Sequence, residues 1–384
     1  MQVDVVIVGA GLVGASLAAA LAPRGISVAL VEPAPPEPPA PEWDARIYAI
    51  SPASAAFLES LGAWQALDPA RLQPVERMEI YGDAPAASLH FSAYESGVAR
   101  LATTAESGRL AHALWTGLGS GVQRLGGRRC AALELGNDGV ALRLDDDDVI
   151  EAPLVVGADG AGSWVRRAAG LAARVHDYGQ LGVVANFECE HPHGATAFQW
   201  FRPDGVLAYL PLPGAHVSMV WSTPEEHARE LLALPAAALE ARVAAAGGGR
   251  LGRLRLVAPA QGYPLRRVDA EALVAPRVAL IGDAAHVVHP LAGQGVNLGF
   301  GDAAALANVL AARERFRDCG DLAVLRRYAR SRAEAILAMR TVTDGLVRLF
   351  GASGRLPGEI RNRGLNFTDR WPVLKTLLVR HALG

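Results

Sequence analysis

The sequence predicts an α/β fold in which a Rossmann-like nucleotide-binding domain is interleaved with an antiparallel β-sheet domain and followed by a helical C-terminus. Three observations predict it. The apolar run Val3 to Val8 leads into Gly9-Ala10-Gly11-Leu12-Val13-Gly14 and then a helical stretch, Ala15 to Leu21. Four strand-like segments follow one another between 181 and 223, divided by Pro, Gly and His turns. Val278 to Ile281 then resumes the buried-strand pattern of the N-terminus, before a glycine cluster and mainly helical sequence from Asp302 on. A chain that leaves one sheet, builds a second and returns implies two interleaved layers.

Taken in order, the first helix is closed by Pro23 and Gly25, and Ser27 to Glu32 is a second strand. Both strands are apolar throughout, so they are buried on both faces and parallel. PAPPEPPAPEW, 33 to 43, is too proline-rich for a regular element and reads as an exposed loop. Residues 73 to 99 look strand-like and irregular, and 107 to 125 look helical. Alternating strands run from Arg128 to Val156, with a hairpin turn at Asn137-Asp138-Gly139 and a solvated turn at 145 to 148. The segments LGVVANFECE, ATAFQWFRP, GVLAYLPL and AHVSMVWST form the antiparallel sheet, completed by one helix at about 224 to 246 and a strand at about 253 to 262.

Composition narrows the function classes. The 384 residues are 51% hydrophobic, enough for two intimately joined cores. A formal net charge of -2 gives no global positive field, so nucleic acid is not an expected partner. Charge is uneven, because Arg313 to Gly384 holds 15 basic and 7 acidic residues. Three cysteines, Cys130, Cys189 and Cys319, are odd in number and far apart, which fits neither a disulfide framework nor a metal site and favours a reducing, cytoplasmic setting. Asp4 breaks the first apolar run, so the N-terminus reads as a strand and helix rather than a signal peptide. No run of 18 apolar residues free of charges and helix breakers indicates a membrane span.

The chemistry concentrates in three places. In the first, Gly9 permits a tight turn, Gly11 lets a pyrophosphate approach the backbone, and Gly14 lets helix pack on strand. The N-H groups of Leu12 and Val13, at the helix start, face the phosphates. Glu32, ending the second strand, would accept hydrogen bonds from a ribose, and an acid there disfavours a 2'-phosphate, leaving FAD or NAD. In the second, VVGADGAGSWVRR (155 to 167), Asp159 is either a helix cap or a ligand contact. In the third, a strand ends at Gly282-Asp283, where the carboxylate can hold a polyol such as a ribityl chain, and HPLAGQGVNLGFGD (289 to 302) brings bare N-H groups to a helix start.

In this order and spacing, the GAGLVG, ADG and GD segments resemble those of the flavin-dependent aromatic hydroxylases related to para-hydroxybenzoate hydroxylase. HPLAGQGVNLGFGDA is similar to the ubiquinone-biosynthesis branch, with support from ARIYAISPAS (45 to 54), ATAFQWFRPDGVLAYLPL (195 to 212), SMVWS (218 to 222) and the final LNFTDRWPVLKTLLVRHALG. The resemblance implies an FAD-binding domain over 1-72, 100-175 and 263-340, a substrate-binding sheet domain over 73-99 and 176-262, and a C-terminal helical segment over 341-384. It implies FAD as cofactor, NAD(P)H as transient reductant, O2 activated at flavin C4a, and hydroxylation of a polyprenylated phenol. Gly293, Gln294, Gly295, Val296 and Asn297 would lie under the flavin pyrimidine ring, where a helix start stabilises negative charge by ~0.3 to 2 kcal/mol. Arg46 would lie near the cofactor, and Asp159 would serve both FAD and the nicotinamide. Only His289 and Pro290, beside the flavin turn, stand out as catalytic candidates, since the protein mainly positions reactants and excludes water.

Two departures from the family pattern stand out. Ser107 replaces an Asn or Arg ahead of its helix, and Trp200 replaces a common arginine, which would alter the polarity of the substrate face. Other readings compete at several positions. Asp283, His286 and His289 could suggest an iron site, but the neighbouring glycines suit a flavin better. His191 and His193 flank a turn proline and are expected in solvent. Trp200, Phe201 and Tyr209 fit core packing as well as substrate contact, and Glu225, Glu226 and Glu230 fit an exposed helix face. The tail, with Leu346 to Phe350 and Leu374 to Val379, fits either an anionic membrane surface on the inner face of the plasma membrane or ordinary packing helices. A ubiquinone-biosynthesis complex is the other expected partner. A hydroxylase of a soluble aromatic compound and a non-catalytic FAD-binding scaffold are the alternatives; a flavin halogenase is disfavoured because WxWxIP is absent.

Overall fold

The apolar N-terminal strand Val5–Val8 pairs in parallel with Val28–Glu32 on one side and Leu154–Gly157 on the other. This is the centre of a six-stranded sheet that Val278–Leu280 and Val122–Gly126 extend in parallel and Val274–Ala275 closes antiparallel. The computed structural model describes residues 1–82, 87–289 and 295–351, without the side chains of 342–344 and 346–351. The helices Leu12–Leu21 and Gly295–Ala311 cover one face of the sheet, with Leu17, Leu21, Leu306 and Leu310 sealed against Ile7 and Val156. Burial of each such aliphatic side chain contributes roughly 1.5 to 3 kcal/mol.

The second layer is a nine-stranded sheet whose main path runs His286–Val287, Gln261–Ala270, Ala173–Cys189, His216–Pro224, Gly205–Leu212, Thr196–Arg202, Arg77–Tyr81 and Ser88–Ser92, with Leu254–Leu256 pairing off that path. The four strand segments anticipated between 181 and 223 all form, and Ala173–Cys189 is 17 residues long. Its register shifts between Asp177 and Gln180, where Gly179 takes a positive φ of 62°. Period-two alternation turns Phe187, Phe198, Tyr209, Met219 and Trp221 toward helices Glu225–Ala233 and Ala236–Ala246, forming one apolar core. The opposite face meets a small sheet of Ile47–Ile50, Ala102–Glu106 and Gln73–Val75, where the Thr104 hydroxyl donates to the Pro211 carbonyl at 2.7 Å.

Several expectations need correction. The segment 107 to 125 is not all helix: Ser107–Thr116 ends where Gly117, Gly119 and Gly121 weaken helical propensity, and Val122–Gly126 is a sheet strand. The helix expected over 224 to 246 is two helices, because Pro235 cannot continue the first. The strand expected at 253 to 262 is Leu254–Leu256 followed by Gln261–Ala270. His193 is buried rather than solvated, with Nε2 within 2.8 Å of the Leu212 carbonyl. Helix Leu322–Gly351 runs past position 340 without a break.

Candidate active site

The first glycine loop is built as the spacing requires. Gly9 has φ of 101°, and its N-H donates to the Val31 carbonyl at 2.9 Å. A Cβ on Gly14 would collide with the Gly9 carbonyl, so only glycine lets the helix sit this close to the strand. Gly11, by contrast, has nothing within 4 Å of where its Cβ would be. It caps helix Leu12–Leu21 without a side-chain hydrogen bond, so the first N-H groups face open space. Glu32 accepts the Ala10 N-H at 2.7 Å and the Ala34 N-H at 3.0 Å, which ties the second strand to the loop.

The other two motifs close on this loop. Ala158 abuts Gly9, and the Asp159 carboxylate accepts the Ser163 hydroxyl at 2.5 Å and the N-H groups of Trp164 and Val165 at 2.6 and 3.0 Å. Asp159 is thus a helix cap, as one of its two sequence readings had it. Strand Val278–Leu280 ends in a 3-10 turn, Gly282–Ala284, and the Val13 side chain packs within 3.2 Å of where a Gly282 Cβ would be and 2.5 Å of where a Gly299 Cβ would be. Three distant segments therefore meet at Val13: the first helix, the Asp283 turn and helix Gly295–Ala311.

Asp283 stands on the floor of this junction. Its side chain is crowded by protein yet open to solvent, and the crowding raises its carboxyl above the usual range against the pull of His286 and Arg46. The Arg46 guanidinium lies 4.3 Å over the Tyr263 ring, and its backbone is fixed by Asp44 and by the Ser107 N-H, which donates to the Arg46 carbonyl at 3.0 Å. Burial raises the Tyr48 phenol, with Arg46 opposing and Asp283 adding to the shift. Asn297, in the first turn of helix Gly295–Ala311, accepts the Ser51 N-H at 2.9 Å and donates to the Ala49 carbonyl at 2.9 Å.

His289 is buried, with Nε2 3.1 Å from Gln180 Oε1 and its ring edge-on to Tyr178 at 4.9 Å. His286 turns away from it to pair with Asp302 at 2.6 Å, so the iron-site arrangement does not form. Among the described residues no three His, Cys, Asp or Glu side chains gather to hold a metal. Pro290, Gly293 and Gln294 lie outside the described residues.

A family profile described as FAD binding domain matches residues 2–343. The chain belongs to the FAD-binding monooxygenase family. This FAD-dependent aromatic monooxygenase is 38% identical to the ubiquinone hydroxylase UbiL of Rhodospirillum rubrum, over 99% of this chain and 89% of the relative. It is also 38% identical to the 3-demethoxyubiquinol 3-hydroxylase of Escherichia coli, over 99% of this chain and 98% of the relative. The solved structure of PqsL from Pseudomonas aeruginosa matches with a TM-score of 0.79 at 26% identity, over 96% of this chain and 100% of that one. The FAD-binding monooxygenase thus falls in the ubiquinone-biosynthesis hydroxylase family.

The residues of this flavoprotein suit the dinucleotide. The empty space over Gly11, at an uncapped helix start, is the cradle a pyrophosphate needs, and a Cβ there would fill it. Of the two readings of Trp200, the structure forms core packing. Trp200 stacks with Tyr81 and Phe198 at 5.7 and 5.8 Å and meets Tyr209 edge-on, on the face covered by helices. Replacing a family arginine there leaves the other face unchanged, because the alternation of the strand sets Trp200 opposite to it.

The sequence reading missed Asp302 and Arg332, and marked Arg166 in the second motif without giving it a partner. One signal existed: Asp302 is a lone acid on the buried side of the otherwise apolar helix GVNLGFGDAAALANVLA.

Proposed function

We propose that this monooxygenase hydroxylates the ring of a polyprenylated phenol in ubiquinone biosynthesis, using FAD, with NAD(P)H as transient reductant and O2 as co-substrate. Convergence of the Gly9–Gly14 loop, Asp283 and the start of helix Gly295–Ala311 at Val13 carries the FAD site. Full-length similarity to ubiquinone hydroxylases supports the substrate class.

Bound FAD supplies the activation of O2. The protein's own residues bind and orient. Gly11, Leu12 and Val13 offer backbone N-H groups to the pyrophosphate, and Glu32 keeps lone pairs for a ribose beyond the two it gives the loop. Asp283 and Arg46 would hold the ribityl and phosphate portions, and Asp159 would serve both FAD and a passing nicotinamide. Gly295, Val296 and Asn297 open helix Gly295–Ala311, whose start would hold the flavin pyrimidine edge, with Pro290, Gly293 and Gln294, outside the described residues, preceding it in sequence. His289, held by Gln180 and Tyr178, and Pro290 next to it in sequence are the catalytic candidates. We divide the chain into an FAD-binding part (1-72, 100-175, 263-340), a sheet part (73-99, 176-262) and a C-terminal segment (341-384), with strands Ala173–Cys189 and Gln261–Ala270 crossing between the first two.

Among the described residues no helix is long and apolar enough to cross a membrane. The basic C-terminal segment, of which residues 352–384 lie outside the described residues, is the part we assign to lipid or to a biosynthetic complex, through which a polyprenylated substrate is delivered.

Quinone profiling of a deletion strain tests this reading. Loss of ubiquinone with accumulation of a prenylated precursor lacking one hydroxyl is expected. A normal profile in a strain lacking any redundant hydroxylase overturns it, and turnover of a soluble phenol alone supports the alternative substrate class.

A further inference from the structure

The turn that presents Asp283 is gripped on both sides by buried charge. Asp302, fully buried on helix Gly295–Ala311, accepts the Gly282 N-H at 3.0 Å and His286 Nε2-H at 2.6 Å on one oxygen, and Arg332 Nε at 2.7 Å on the other. On the far side, buried Arg166 donates to the Ala284 carbonyl at 2.6 Å and to the Ala161 carbonyl at 2.9 Å. The peptide units 281–282 and 284–285, one step out from Asp283 on either side, are thus fixed by different elements, while the Asp283 side chain stays open.

Arg332 comes from helix Leu322–Gly351. It also donates to the Leu298 carbonyl at 3.1 Å, and its guanidinium occupies the space a Cβ on Gly301 would take. Glycine at 301 therefore leaves room for the arginine. A buried ion cluster of this kind is commonly no more stable than well-packed apolar residues, and its best-attested use is to specify one geometry.

We infer that Asp302 is a positioning residue for Asp283: it fixes the Gly282 backbone so that the Asp283 carboxylate meets the FAD ribityl chain, and Arg332 ties that geometry to the docking of the C-terminal helix. The inference rests on the reading of Asp283 as an FAD contact.

A double-mutant cycle on FAD affinity tests it, measured on apoprotein by quenching of flavin fluorescence. In the wild-type background Asp302→Asn should weaken FAD about tenfold, a coupling typical of neighbouring groups. In the Asp283→Ala background it should weaken FAD less than about twofold. Equal losses in both backgrounds overturn the positioning role. An Asp283→Ala protein that binds FAD like wild type removes instead the reading of Asp283. Arg332→Gln carries the same cycle from a less buried position; if Asp302→Asn does not fold, by far-UV circular dichroism, the Arg332→Gln cycle decides, with equal losses again overturning the inference.

Discussion

The Asn297 side chain closes a gap between two elements nearly 250 residues apart in sequence, accepting the Ser51 N-H and donating to the Ala49 carbonyl, each at 2.9 Å. Both partners are backbone groups of the segment that leads from Arg46 to helix Pro52–Ser60.

Replacing Asn297 with Ala should leave these two groups without their partner, a loss of about 2 to 4 kcal/mol. Asn297→Asp should also destabilise, because a carboxylate would face the Ala49 carbonyl. Chemical denaturation of the apoproteins checks this. A stability within about 0.5 kcal/mol of wild type would place the bridge outside the energetics of the fold.

Gly11 and Gly14 should respond in opposite ways. Gly14→Ala forces a Cβ into the Gly9 carbonyl and should cost about 1 to 3 kcal/mol or more through overpacking. Gly11→Ala meets no protein atom, so the apoprotein should keep its melting temperature while FAD binding weakens at least tenfold. Melting temperatures set beside FAD dissociation constants separate the two. Unchanged FAD affinity in Gly11→Ala would move the pyrophosphate elsewhere.

The His286 and Asp302 pair predicts a pH dependence of stability. Burial alone would lower the His286 value, but the Asp302 carboxylate outweighs it and raises the imidazole above its ordinary 6.5. Burial would raise Asp302, and His286 with Arg332 outweighs that and lowers it below 3.8. His286 then contributes fully below about pH 6.5, and the contribution fades as pH rises through its raised folded value. Asp302 contributes above about pH 3.8 and loses that contribution as acid reaches its lowered folded value. The stability gap between wild type and His286→Gln should be widest below His286's ordinary 6.5 and narrow as pH rises through its raised folded value. Urea titrations at several pH values give this gap, and one independent of pH would refute the ion pair.

Trp200 offers a test of sheet polarity. Its ring packs against Tyr81, Phe198 and Tyr209 under the covering helices. Restoring the arginine common in the family, Trp200→Arg, should therefore destabilise by about 3 kcal/mol or more. Substrate preference should not change. A stable variant with altered preference, in product analysis by mass spectrometry, would place this side chain on the other face.

The two sheets, their order and the glycine motifs were legible because burial pattern and turn residues agree locally. Val5–Val8 is apolar on both faces, and Gly9 needs a positive φ that few residues tolerate. Helix ends were less legible where glycines accumulate after Thr116, or where a single proline at 235 divides an otherwise helical run. At the site, sequence located residues by motif, but the partners of Asp302, Arg46 and Asn297 lie far away in the chain. At Trp200 core packing and substrate contact both stayed open, because a family comparison gives a column without giving the face on which the side chain lies.

Strand Ala173–Cys189 pairs with Gln261–Ala270, which carries the edge strand His286–Val287 beside the Asp283 turn, and also runs through the heart of the aromatic core, with its irregularity between Asp177 and Gln180. One unbroken ribbon therefore carries both Tyr178, which the His289 ring meets edge-on, and the core residues Val183, Ala185, Phe187 and Cys189, so the surroundings of His289 and the aromatic core are threaded on the same backbone.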